Sequence, residues 1–230
     1  MVASILATRL FVFAGGPEVE IISCLKTAEK DGVTLAVPGT PRMLASHQLH
    51  FDRIVVNVHA DQKTATAIAT LDFRGALSAP GGSSPVGATA VSSLGLEKID
   101  LILGKGGAWS PVSGDSAPTL TAALGLLERR RQVLETGDAS LLSTLVDGTA
   151  ARNLTADPRL LELLALKDRH YQVDAYYLRA DRDEVLVTAE DHLTGNLPDR
   201  PVDSKTSRRL KLGRPAGKTG REFLFTDGLM

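Results

Sequence analysis

The sequence predicts an α+β protein in which helices followed by antiparallel strands occur twice along the chain. Three observations carry this. His50–Leu77 and His170–Leu197 superpose without a gap at a spacing of 120 residues, matching His50 with His170, Phe51 with Tyr171, Ala60-Asp61 with Ala180-Asp181, Ala69 with Ala189 and Gly75 with Gly195. The two segments share a hydrophobic period of two, the signature of half-buried strands. A helix-period leucine pattern precedes the second set of strands, and a shorter helical segment precedes the first. A repeat of this length indicates two copies of one domain, spanning residues 1–116 and 117–230, rather than a solenoid.

Each element has a local cause. Glu18–Lys30 reads as a helix opened by Pro17 and closed at Asp31-Gly32. Pro38, Gly39 and Pro41 then prevent a long second helix. Ile54, Val56 and Val58 alternate with polar residues, as a strand does. Asp61-Gln62-Lys63 is a turn, after which Ala65, Ala67, Ala69, Leu71 and Phe73 face inward. Residues 79–87 form a Pro/Gly/Ser loop, followed by strands near Val91–Leu103 and Trp109–Ser113 joined at Gly104–Gly107. In the second half Leu120, Leu124, Leu127 and Leu134 recur at helical spacing, with Glu128–Arg131 expected on the wet side. Gly137 ends this helix, Asp138 caps a second carrying Leu141, Leu142 and Leu145, and Asp157-Pro158 opens a third. Strands follow near 171–179, 184–194, 204–212 and 221–226, so the helical part is complete in the second half and shortened in the first.

Composition narrows the function classes. A formal net charge of −1 among 230 residues argues against a general nucleic-acid or anionic-membrane surface. The late basic cluster, Lys205, Arg208, Arg209, Lys211, Arg214, Lys218 and Arg221, reads as a solvated strand face and turn. Cys24 stands alone, which excludes an intrachain disulfide and fits a reducing, cytoplasmic compartment. Residues 1–16, interrupted by Arg9, are too short to span a bilayer and make a poor signal-peptide core. Export follows only if they replace or follow a leader. Gly213–Thr219 falls one residue short of phosphate-loop spacing and leads into a strand. His47, His50 and His59 offer no metal geometry, and neither a metal nor a cofactor is expected.

The stretch LGLLERRRQVLETGDASLLSTLV, the helix at 158–166 and the strands YQVDAYYLRAD and EVLVTAEDHLTG resemble the NTF2-like superfamily, including its SnoaL and ketosteroid isomerase-like branches. VVNVHADQKTATAIATLDFRG and LEKIDLILGKGGAWSPVSGD resemble it more loosely. The resemblance implies two tandem cones, each with helices packed inside a curved antiparallel sheet. It also implies an intramolecular pseudo-dimer whose sheets pack back to back, making Val55, Ile68 and Leu186 interface residues.

Comparing the halves locates polar residues in an otherwise apolar series. Val185, Val187, Ala189, Asp191 and Leu193 align with Ala65, Ala67, Ala69, Leu71 and Phe73, so only Asp191 breaks the pattern. Asp174, Tyr176 and Leu178 align with Ile54, Val56 and Val58. Asp191, Tyr176 and Asp174 are therefore the candidate catalytic set, with Val185, Val187, Leu193 and Leu178 lining a pocket. A desolvated carboxylate can serve as a base, and a phenol can donate to an oxyanion. The alternative is an Asp191 paired with an arginine. His192 points to the opposite face from Asp191, as adjacent strand residues do. Two classes remain open: a non-catalytic module for a small apolar or amphipathic ligand or a protein partner, and an isomerase, dehydratase or cyclase using Asp191. An assembly or secretion component is a third.

Overall fold

The computed structural model describes residues 15–79, 87–114, 116–146, 157–180, 184–214 and 223–229. Helix α1 (Pro17–Asp31) starts at a proline, carries Glu18 and Glu20 in its first turn, and buries Ile21 and Leu25. Strands β1 (Thr34–Ala36), β2 (Met43–Val58), β3 (Thr64–Ser78), β4 (Thr89–Leu103) and β5 (Trp109–Gly114) follow. Then come α2 (Ser116–Thr136), a 3₁₀ turn (Ala139–Thr144), α3 (Pro158–Leu164), and strands β6 (Lys167–Ala180), β7 (Glu184–Asn196), β8 (Pro201–Gly213) and β9 (Leu224–Asp227). The side chains of Asp138 and Asp157 cap their helical segments, as expected. Strand β2 begins at Met43, well before the alternating Ile54–Val58 signal, because its first residues pair with both β1 and β3.

All the strands belong to one mixed sheet in the order β1-β2-β3-β4-β6-β7-β8-β9, with β5 also on β4. Strand β4 joins the halves. On its free side, Ile99–Leu103 pairs with β5, whereas Ala90–Gly95 pairs in parallel with Ala175–Ala180 of β6. The two antiparallel sets therefore meet edge to edge. This differs from sheets packed back to back, and Val55, Ile68 and Leu186 are exposed. Backbone pairing explains the arrangement: the edges of β4 and β6 satisfy each other's N–H and C=O groups, leaving the broad outer face uncovered.

The inner face carries two hydrophobic clusters. The smaller contains Ile21 and Leu25 of α1 with Phe51, Ala65, Ala67, Ala69, Ile99, Leu101 and Trp109. The larger packs α2 and α3 on β6–β9 and also takes in Val37, Leu44, Phe73, Leu77 and Val91 from the first half. Burying several such side chains, each contributing about 1.5–3 kcal/mol, ties the first half to the second across β4.

Candidate functional site

The site lies where α2 crosses β6, β7 and β8. Leu120, Leu127 and Leu134 define the buried stripe of α2, and Arg130 falls on it, three residues after Leu127 and four before Leu134. Its guanidinium is fully buried. The expected wet side at 128–131 is thus corrected: Glu128 and Arg130 are both enclosed, because helical spacing points them inward.

Arg130 makes three contacts that account for its burial. Nε donates to the Leu229 carbonyl at 2.8 Å, Nη1 donates to the Tyr171 hydroxyl at 2.8 Å, and Nη2 donates to Asp191 Oδ2 at 3.4 Å. Arg208 Nε reaches the same carboxylate oxygen at 3.0 Å, but its N–H is not aligned for a hydrogen bond. That contact is therefore an ion pair, closer in distance and poorer in direction than the one from Arg130. Asp191 Oδ1 is buried without a hydrogen-bond partner. Burial opposes the charge of Arg130, but Tyr171 and Asp191 outweigh it and raise the guanidinium above its ordinary value. Desolvation raises the Tyr171 phenol, with Asp191 adding to the effect and Arg130 opposing it.

The candidate residues fall into different places. Asp191 and Tyr176 are buried, as are Val185, Val187, Leu178 and Leu193, all but Asp191 in the large hydrophobic cluster with Phe223, Phe225 and Leu229. The Tyr176 hydroxyl lies 3.5 Å from the Leu127 carbonyl, and its phenol is raised first by desolvation and then by Glu128. Asp174 does not join them. It is exposed and accepts from Gln172 Nε2 at 2.8 Å. The cause is a register shift between Val173 and Ala175, which changes which alternate residues face inward: Tyr171 and Val173 before it, Tyr176 and Leu178 after it. His192 is on the outer face, with Nε2 at 2.8 Å from Asp203 Oδ1.

The hairpin registers also shift the comparison between halves. Leu71 faces Phe51, whereas Leu193 faces Tyr171. With Phe51 laid on Tyr171, the following strands differ by 122 positions rather than 120, and Asp191 stands opposite Ala69. The polar-for-apolar exchange persists under this correction. It extends to Tyr171, which adds a hydroxyl where Phe51 has none, so that exchange was the available signal for the residue the sequence reading missed.

A second buried carboxylate adjoins the first set. Glu128 accepts from Arg42 Nη1 at 3.1 Å and from Arg131 Nε at 3.0 Å. Arg42 Nη2 also donates to the Gly87 carbonyl at 2.9 Å and to Thr89 Oγ1 at 3.0 Å. Thr89 in turn donates to the Val173 carbonyl at 2.8 Å. These residues wall an open groove of about 220 Å³ at the junction of the halves, with Arg131, His170 and Gln172 at its rim. Among the described residues, no group of His, Cys, Asp and Glu is placed to hold a metal ion, and no helix is long and apolar enough to cross a membrane.

No protein-family model matches the sequence, and no curated protein matches it. Two solved structures show partial likeness to the chain. One is a protein from Shewanella frigidimarina described as a candidate ketosteroid isomerase, with 17% identity and a TM-score of 0.40 over 46% of this chain and 92% of that one. Another is an NTF2-like protein involved in plasmid conjugation, with 10% identity and a TM-score of 0.34 over 80% of this chain and 74% of that one.

Proposed function

We propose that this chain is a non-catalytic NTF2-like binding module made of two tandem units, residues 1–116 and 117–230. The observation that carries this reading is the enclosure of Asp191. A general base must reach a substrate proton, yet Asp191 is buried between Arg130 and Arg208, beside Tyr171, in the role of a structural counter-ion.

The partner surface in this reading is the outer face of the sheet, and its occupant is a second copy of the chain. Val55, Ile68, Leu96, Leu94, Tyr177 and Leu186 are all exposed there. The strand registers make successive members of this series diagonal or direct neighbours, so they form one apolar stripe across β2, β3, β4, β6 and β7. A stripe of this extent on an uncovered sheet marks an association surface. The edge-to-edge joining leaves this face free for a sheet-to-sheet contact between two copies. The test is sedimentation of wild type, Asp191→Asn and Leu94→Asp/Leu96→Asp. Dimers of the first two and monomers of the third support the reading. A monomeric wild type at high protein concentration excludes it.

A second reading is favoured by one observation. Asp191 Oδ1 is unpartnered beside a phenol, which is the residue pairing that an isomerase-like site would employ. Turnover of an enolisable ketone that disappears in Asp191→Asn would select it over the binding module.

A further inference from the structure

We infer that the groove at the junction of the halves is a binding site for a small oxyanion-bearing molecule, held chiefly by Arg131. The walls come from both halves: Arg42, Gly87 and Thr89 from one, and Arg131 with residues 170–173 from the other. Arg42 is fully engaged by Glu128, two backbone carbonyls and Thr89, so it shapes the wall and supplies charge rather than a free donor. Arg131 directs only Nε at Glu128, and its two terminal nitrogens have no partner among the described residues. That leaves the outer edge of a planar guanidinium, the geometry that takes a carboxylate or phosphate through two parallel hydrogen bonds. His170 donates from Nδ1 to Glu135 at 3.2 Å, which fixes its ring at the rim.

The local charges favour an anion. The lining carries Arg42 and Arg131, and both pair with the single carboxylate of Glu128. Asp174 also carries charge nearby but faces Gln172. A groove of about 220 Å³ lies below the ~300 Å³ at which drug-sized pockets begin, so the ligand is small.

The groove shares no residue with the apolar stripe, so its failure would leave the proposed dimer standing. The experiment is thermal unfolding of the full chain in inorganic phosphate or sodium acetate, against sodium chloride at matched ionic strength. Arg131→Gln, Arg131→Lys and Arg209→Gln are carried alongside. The wild-type midpoint should rise by about 3–6 °C at ten times the dissociation constant in at least one oxyanion and not in chloride. Phosphate acting alone would assign a tetrahedral group, and acetate acting alone a planar one. Arg209→Gln should keep the shift and Arg131→Gln should lose it. Arg131→Lys preserves a cation beside Glu128 but removes the planar edge, so a stable Arg131→Lys protein with a shift reduced at least threefold supports the site. An equal shift in wild type and Arg131→Lys, or an equal response to chloride, overturns it.

Discussion

Glu29 and Glu135 perform the same task at the ends of two different helices. Glu29 accepts the backbone N–H of Phe51 at 2.6 Å and faces His50 Nδ1 at 3.4 Å. Glu135 accepts the N–H of Tyr171 and faces His170 Nδ1 at 3.2 Å. A carboxylate near the end of α1 or α2 thus meets a histidine–aromatic pair on the following long strand; the pairs lie 120 residues apart and the carboxylates 106. A register shift follows each aromatic residue, at 52–55 and at 173–175. Each tether fixes a helix to the strand that follows it, because it needs a specific carboxylate and a specific free N–H.

The tether gives a pH prediction. Desolvation pushes Glu29 upward, but its hydrogen bonds from Lys26 and the Phe51 N–H, with the charge of Lys26, prevail and hold it below the ordinary 4.5. A carboxylate lowered in the folded state stabilises the fold above its unfolded value, and that contribution disappears as pH falls through the folded value. Glu29→Gln should therefore destabilise by about 1.5 kcal/mol at neutral pH, the scale of one charge-assisted hydrogen bond. The gap to wild type should close as pH falls below about 4.5. Urea denaturation at pH 7 and pH 3.5 measures both, and a pH-independent gap would sink the assignment.

Arg130 and Asp191 should be strongly coupled. Removing one partner of a buried pair leaves the other charged and desolvated, a loss of about 3–5 kcal/mol. Arg130→Met is expected near the upper end, because Tyr171 and the Leu229 carbonyl lose a donor as well. Asp191→Leu should cost less, since Arg130 retains those two acceptors. The double variant should be more stable than the sum of the single losses predicts, by at least 1 kcal/mol in a double-mutant cycle. Simple additivity would mean that the 3.4 Å contact contributes little.

Alkaline pH should unfold the protein through its phenols. Tyr171 and Tyr176 are both raised by burial, so the folded state keeps protons that the unfolded state has lost above pH 10. Stability contributed this way is complete below the ordinary value of 10 and declines as pH rises beyond it. Tyrosinate absorbance from two of the three tyrosines should appear together with the loss of circular dichroism. In Tyr171→Phe only Tyr176 should remain in that cooperative step. Titration of both phenols ahead of unfolding would contradict the enclosure described above.

The order of elements was legible because each has a local cause: Pro17, Asp138 and Asp157 at helix starts, and alternation in β2, β3 and β7. The inward placement of Asp191 followed from that alternation, and its pairing with arginine was among the readings the sequence left open. Asp174 was misplaced because a bulge depends on the partner strand, which period-two reasoning does not include. Arg130 was missed because its charge outweighed its position on the leucine stripe. The joining of β4 to β6 has no local signature. Ala90–Gly95 and Ala175–Ala180 would read the same if each were an edge strand, and only their pairing reveals the shared sheet.

The C-terminal segment closes the buried site, and Gly228 controls how it does so. Its φ is 72°, a conformation that side chains rarely adopt, and a Cβ there would lie 2.3 Å from the Arg209 carbonyl oxygen. Two residues thereby become linked, since Leu229 follows directly and its carbonyl accepts from Arg130 Nε. Gly228→Ala must move the backbone away from β8, withdrawing that acceptor and exposing the buried Leu229 and its neighbour Phe225. The expected loss is about 2–3 kcal/mol, combining the left-handed strain with one buried hydrogen bond to a charged group. In an Arg130→Met background the hydrogen-bond part is already gone, so the same substitution should cost measurably less. Equal costs in the two backgrounds, read from urea midpoints, would show that the segment holds its place without Arg130.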